Sequence, residues 1–273
     1  MAGCGRIFIG NAMRIAMGLE YDGCGFCGWQ SQAAGLTVQD ALQAALSKVA
    51  DAKITVIAAG RTDTGVHALE QVVHFDTDVI RPLSAWLRGV NALLPECIAA
   101  LWVHPVPDEF HARFSAQARS YQYVLINRAV RSAVHHGKVG WFHAPLNVAQ
   151  MRSAAGYLLG EHDFSAFRSS ECQAKSPVKN LEQLDIQQHG DTILFDLTAN
   201  AFLHHMVRNI IGCLVYVGKG KYPSQWLREV LETRQRTLAA PTFAPDGLYL
   251  RAITYDKKWG LPLMNFQPVT MRE

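Results

Sequence analysis

The chain has 273 residues, 49% hydrophobic and 18% charged, with a formal net charge of +3. That length and apolar content suit one large or two medium domains with buried cores. The near balance of charge excludes a basic tail protein and leaves any nucleic-acid partner to be drawn by local clusters of arginine.

Residues 1–13, MAGCGRIFIGNAM, are too short for a secretory signal and read as a flexible leader. RIAMGLEY (14–21) alternates, with Ile15, Met17, Leu19 and Tyr21 on one face of a strand. After the glycine-rich DGCGFCGWQ comes TVQDALQAALSKVA, a helix with Thr37 as N-cap and Asp40 three residues on. KITVIAAG (53–60) and LEQVVHFDTD (69–78) read as strands on either side of a polar loop. PLSAWLRGVNALLP is a helix entered at Pro82, and CIAALWVHPV a strand.

RSYQYVLIN is then a strand with Tyr121, Tyr123 and Leu125 on one face, and NVAQMRSAAGYLLG a helix from Asn147 to Gly160. KNLEQLDIQQH and DTILFDLTAN form a hairpin. AFLHHMVRNIIGCLVYVG is a strongly apolar helix, PSQWLREVLETR a shorter one, and GLYLRAITY a last strand. Each half reads roughly strand, helix, two strands, helix, strand. The expected class is therefore α+β: two similar halves, each a mainly antiparallel sheet flanked by helices, in duplicated ferredoxin-like units with a cleft between them. The N-terminal domain is expected over 14–115 and the C-terminal one over 116–273. No apolar run reaches bilayer length, so no membrane association is expected. The six scattered cysteines point to a reducing compartment, the cytoplasm.

The polar loop AAGRTDTGVHAL (58–69) crowds Arg61, Asp63 and His67 between apolar strands. A carboxylate beside glycine is often a turn former. In a partly buried site, with Arg61 favouring its charged form, Asp63 is instead a candidate nucleophile or general base. Arg208 lies in an otherwise apolar helix and needs an anionic partner, either in a structural salt bridge or as the mate of Asp63 across the halves. Tyr121 is a core strand residue or an aromatic platform for a base. Cys24-x-x-Cys27 has metal-ligand spacing but no second pair, so no metal is expected. GCGFCG (23–28) matches a dinucleotide fingerprint in letters only, since no helix opens on its last glycine. Arg61, Arg81, Arg113, Arg119 and Arg168, with Lys175 and Lys179, are solvated surface residues unless they converge, in which case they suit a phosphate backbone.

GRTDTGVHA (60–68) resembles the signature loop of A-type tRNA pseudouridine synthases. LEYDGCGFCGWQSQ, VNALLP, FHARFSAQARSYQYVL, GEHDFSAFR, NAFLHHMVRNIIGCL and GLYL follow in that family's order at similar spacing. The resemblance implies conversion of uridine to pseudouridine at positions 38, 39 and 40, in the anticodon stem-loop of tRNA, without cofactor or metal, by a homodimer. It implies Asp63 as the catalytic residue, Arg61 as the residue that flips the nucleotide, Tyr121 stacked on the base, Arg208 paired with the aspartate and Leu248 as a pocket wall. It further implies tRNA contacts at Arg81, at Phe110, His111, Ala112, Arg113 and Phe114, at Arg168, and at Glu171, Cys172, Gln173 and Lys175. Cys24 and Cys27 stand where relatives are expected to carry small, polar or aromatic residues. Two other classes fit the same residues: a non-catalytic RNA-binding protein, and a metal-dependent hydrolase built on Asp63, His67 and His204-His205.

Overall fold

The computed structural model describes residues 12–33, 35–262 and 264. The expected leader lies outside these residues apart from Ala12 and Met13. In chain order the elements are β1 (Met13–Tyr21), α1 (Val38–Ala50), β2 (Ile57–Ala58), β3 (His67–Thr77), α2 (Leu83–Asn91), β4 (Ile98–Val106) and β5 (Ala116–Asn127). There follow β6 (Gly140–Phe142), α3 (Val148–Ala155), β7 (Gly160–Asp163), β8 (Val178–His189), β9 (Thr192–Ala199), α4 (Met206–Gly218), α5 (Trp226–Thr233) and β10 (Leu248–Tyr255).

The strands form one continuous sheet in the order β4-β1-β3-β10-β5-β9-β8-β7, with β2 on β3 and β6 on β5. Pairing is antiparallel except at β5–β6 and β3–β10. The β3–β10 seam is short: Tyr249 lies opposite His67 and Leu250 opposite Ala68. Thus β3 and β10, from distant parts of the chain, meet at this seam within one sheet. Tyr121, Tyr123 and Leu125 of β5 face the main core, which also takes the buried residues of all five helices. Val124, Leu194 and Tyr249 form a small cluster apart from that core. Alternation along β5 produces this division.

Three local expectations change. Of KITVIAAG only Ile57–Ala58 is strand, because Ser47 and Gln43 of α1 accept from the backbone N–H groups of Ile54 and Val56. Side chains there replace a neighbouring strand. The helix expected to run to Gly160 ends at Ala155, followed by a 3-10 turn over Gly156–Leu158. Gly160, at φ +95°, opens β7 instead. The apolar helix begins only at Met206, after His205 has taken a left-handed conformation. The Thr37 cap is as expected: its hydroxyl oxygen accepts from the N–H of Asp40.

The glycine-rich loop after β1 serves the loop that carries Asp63. A Cβ on Gly23 would lie 2.1 Å from the carbonyl oxygen of Val66, and one on Gly28 would lie 2.8 Å from that of Thr62. Gly28 also sits at φ +84°. Two backbones touch here, which only glycine permits. The N–H of Trp29 donates to Thr62 O at 3.0 Å, sealing the contact. The Gly28→Ala variant is expected to lower the melting midpoint and the activity together, at a cost on the order of 1–3 kcal/mol. Thermal melts and turnover measured in parallel check this.

Glu70 of β3 is buried, its carboxylate accepting from Trp102 Nε1 at 3.4 Å. Burial raises its pKa to about 7. Its protonated form therefore stabilises the fold fully below the ordinary carboxylate range, and that contribution is lost as pH rises through about 7. A Glu70→Gln variant, which cannot ionise, should be more stable than the parent at pH 8 by about 3 kcal/mol. The difference should vanish near pH 4, as denaturant titrations at the two pH values will show.

Candidate active site

Asp63 stands in a loop fixed by three sets of contacts. Gln71 of β3 brackets Gly60, its amide nitrogen donating to Gly60 O at 2.6 Å and its Oε1 accepting from the Gly60 N–H at 3.3 Å. The Tyr21 and Thr62 hydroxyls share a hydrogen bond of 2.7 Å. The N–H of Val66 donates to Asp63 O at 3.1 Å, closing a tight turn in which Gly65 takes φ +78°. Burial holds the Tyr21 phenol neutral, its pKa pushed up to about 12. Buried, mutually satisfied hydroxyls of this kind rigidify a loop.

The Asp63 carboxylate points at the first turn of α4. Arg208 Nη1 donates to Oδ2 at 2.9 Å, and both side chains are largely buried. Arg208 Nε donates to Phe243 O at 2.9 Å, while the Phe243 N–H donates to Arg208 O at 3.2 Å. The 241–243 segment reaches this position because Gly212 lets it close in: a Cβ there would lie 2.3 Å from Pro241 O. Two imidazoles complete the ring of partners. His204 Nε2 lies 3.2 Å from Oδ1 and His205 Nε2 3.3 Å from Oδ2. Desolvation lowers the pKa of His205, against the opposing field of Asp63. The N-terminal end of α4 adds its favourable dipole to an anion there.

Around this carboxylate opens a cleft of about 1170 Å³. Tyr121 on β5, Phe202 and Leu248 at the start of β10 give it an apolar wall. Tyr121 packs edge-on to Phe202 at 5.0 Å. Its pKa is raised by burial and by the neighbouring Tyr21 and Asp63, so the phenol is a proton donor rather than a base. Arg119 lies beside it without a carboxylate. It donates instead to the carbonyls of Ala59, Arg113, Ala116 and Asn200, tying the two halves beneath the cleft. Burial lowers its pKa.

The structure brings Asp63, Arg208, Tyr121 and Leu248 together in this cleft, with Arg61, Arg113, Glu171, Cys172 and Gln173 on its walls. No ion pair links Arg61 to Asp63 among the described residues; Arg208 takes that place, and Arg61 is exposed, its Nη1 3.5 Å from Gln173 Oε1. Of the 110–114 segment, Phe110 and Ala112 are fully buried and offer no side-chain surface to a ligand. Phe110 packs on Tyr255 and Trp259, and the Ala112 backbone is held by His74 and the Tyr255 hydroxyl. They anchor the segment so that Arg113 and Phe114 face outward, with Phe114 stacked on His111. Arg168 braces its own loop by donating to Cys172 O and Ala174 O. Arg81 and Lys175 are exposed and lie outside the cleft.

His204 and His205, weighed in the sequence only as metal ligands, were readable as partners of Asp63. They stand immediately before the helix that carries Arg208, so the same helix start brings all three side chains to Asp63. With Asp63 they form one of two clusters of three potential ligands; the other joins Asp22, Cys24 and His67. Cations already occupy both, Arg208 at Asp63 and Lys138 at Asp22. Buried His67 accepts from the Gly23 N–H through Nδ1, and its Nε2 faces Gly137 O and Asp246 O, so it fastens loops together.

The sequence profile described as tRNA pseudouridine synthase matches residues 18–115 and 154–256. Three curated relatives, each named tRNA pseudouridine synthase A, align along nearly the whole chain. That of Nitrosomonas eutropha is 57% identical over 253 residues, covering 93% of this chain and 91% of its own. That of Methylobacillus flagellatus is 59% identical over 250 residues, covering 92% and 96%. That of Nitrosomonas europaea is 58% identical over 253 residues, covering 93% of each. With Asp63 and Arg208 both inside the matched residues, the chain belongs to the tRNA pseudouridine synthase family, whose members are isomerases.

Proposed function

We propose that this enzyme converts uridine to pseudouridine at positions 38, 39 and 40 in the anticodon stem-loop of tRNA, with Asp63 as the reacting group. The observation that carries the mechanism is the half-buried Asp63 carboxylate held 2.9 Å from Arg208 in an aromatic-walled cleft. The choice of positions rests on the likeness of the whole chain to its relatives.

A uracil within or beside a stem must leave the stack before its glycosidic bond can be reached. Exposed Arg61, at the cleft wall two residues from Asp63, suits the task of occupying the space the nucleotide vacates, because guanidinium stacks as well as contacting phosphate. Tyr121 and Leu248 then hold the faces of the extruded uracil, leaving its edges free to turn so that C5 replaces N1 at C1′. Arg208 aims the carboxylate. Arg113 and outward Phe114 provide a cation and a ring for the strand beyond the target. Breaking one bond of the same nucleoside and making another needs no external oxidant, reductant or energy source, so the reaction is cofactor-free. Among the described residues no helix is long and apolar enough to cross a membrane, in keeping with work on tRNA in the cytoplasm. The two subunits of a homodimer would share the tRNA.

Asp63→Asn is expected to abolish product while tRNA still binds, read by mapping pseudouridine in the anticodon arm and by filter binding. Loss of binding along with activity would make Asp63 structural. Turnover is expected to survive exhaustive chelation; a dependence on added zinc would favour a hydrolase built on Asp63, His204 and His205.

A further inference from the structure

The partners of Asp63 are distributed unevenly. Among the described residues Oδ2 accepts a hydrogen bond from Arg208 Nη1 at 2.9 Å and lies 3.3 Å from His205 Nε2, whereas Oδ1 accepts none and lies 3.2 Å from His204 Nε2. A carboxylate oxygen that already holds a hydrogen bond and a second close nitrogen has less to offer a third group than one that holds none. We propose that Oδ1 is the oxygen presented to the nucleotide, that His205 is a positioning residue fixing the carboxylate plane with Arg208, and that His204 caps Oδ1 until the nucleotide displaces it. This rests on the reading of Asp63 as the reacting group.

Independent features support the assignment. His205 holds φ at 62° as the N-cap of α4, a left-handed conformation that costs a residue with a side chain on the order of 1 kcal/mol. It makes no side-chain capping bond in return. Its carbonyl accepts from Asn209, so the strained backbone is locked into the helix start. The strain directs the ring at Asp63 rather than serving the helix. Burial lowers the pKa of His205 and keeps it neutral near pH 7. In the tautomer that carries its hydrogen at Nε2, a neutral imidazole at this distance orients the anion without discharging it. His204 differs. Its backbone is tethered to the loop that forms the far wall, its N–H donating to Cys172 Sγ and its O accepting from Ser169. Its ring is the more exposed of the two, at 35% against 28%. It therefore stands on the side from which a ligand enters.

The test compares steady-state kinetics on full-length tRNA for four variants, with melting midpoints alongside. His205→Ala is expected to lower kcat about 10- to 100-fold with KM little changed, the loss of one polar contact to a charged group. His205→Gln, which returns an N–H near the Nε2 position, should recover most of that loss. His204→Ala should lower KM about 2- to 10-fold, because a competing group beside Oδ1 has been removed. The assignment is overturned if Ala and Gln at 205 are equally impaired, or if His204→Ala depresses kcat as deeply as His205→Ala. The fourth variant, Asp63→Asn, separates the two ideas: if it remains active the reading of Asp63 itself falls, whatever the histidines do.

Discussion

A carboxylate and a guanidinium from distant parts of the chain meet at 2.9 Å, and much of the surrounding structure exists to make that meeting possible. Neither partner could be buried alone, since an isolated charge in a low-dielectric site costs far more than a fold of this size can spare. Asp63 is carried on a loop pinned to β3 by Gln71 and to the glycine-rich loop by Trp29. Arg208 is carried on a helix turn pinned to Phe243. Removing either partner would leave the other as an uncompensated charge, so their positions are coupled energetically as well as sterically.

That coupling explains the division of labour among the other cations. Arg119 is half-buried and, among the described residues, donates to carbonyls, so it ties chain segments together without competing for Asp63. Arg168 does the same for the 168–174 loop. Arg61 and Arg113 remain exposed on the cleft walls, where a polyanion can reach them. Five arginines near one cleft thus serve three purposes, and only the contact pattern tells them apart. The buried aromatic wall excludes water from one side of the carboxylate, strengthening whatever electrostatic contact forms there.

Much of this was legible in the residues. Arg208 in an apolar helix demanded an anion, and the alternation through Tyr121, Tyr123 and Leu125 gave the orientation of β5. The hairpin of β8 and β9 and the Thr37 cap followed from local chemistry alone. What failed to show was whatever depends on approach between distant backbones. Gly23 and Gly28 looked like an imperfect nucleotide-binding fingerprint, whereas their purpose is to admit the Asp63 loop. KITVIAAG has strand composition, but helix side chains claim its amides. Phe110 and Ala112 sit in a motif that reads as a single contact surface, yet packing turns them inward. Local pattern cannot distinguish an anchor from the residue it presents.

The place of β10 in the sheet carries a temporal consequence. Residues Leu248–Tyr255 lie between β3 and β5, so the strands laid down first and those laid down later share hydrogen-bonded edges only through this late segment. On a ribosome, β1, β3 and β4 can pair early, but their inner edge waits for a strand almost two hundred residues downstream. Asp63 therefore emerges long before Leu248, which lines the same cleft. The cleft stays incomplete until this late strand slots into the middle, and an inner edge left open that long is the segment on which folding helpers have most reason to act.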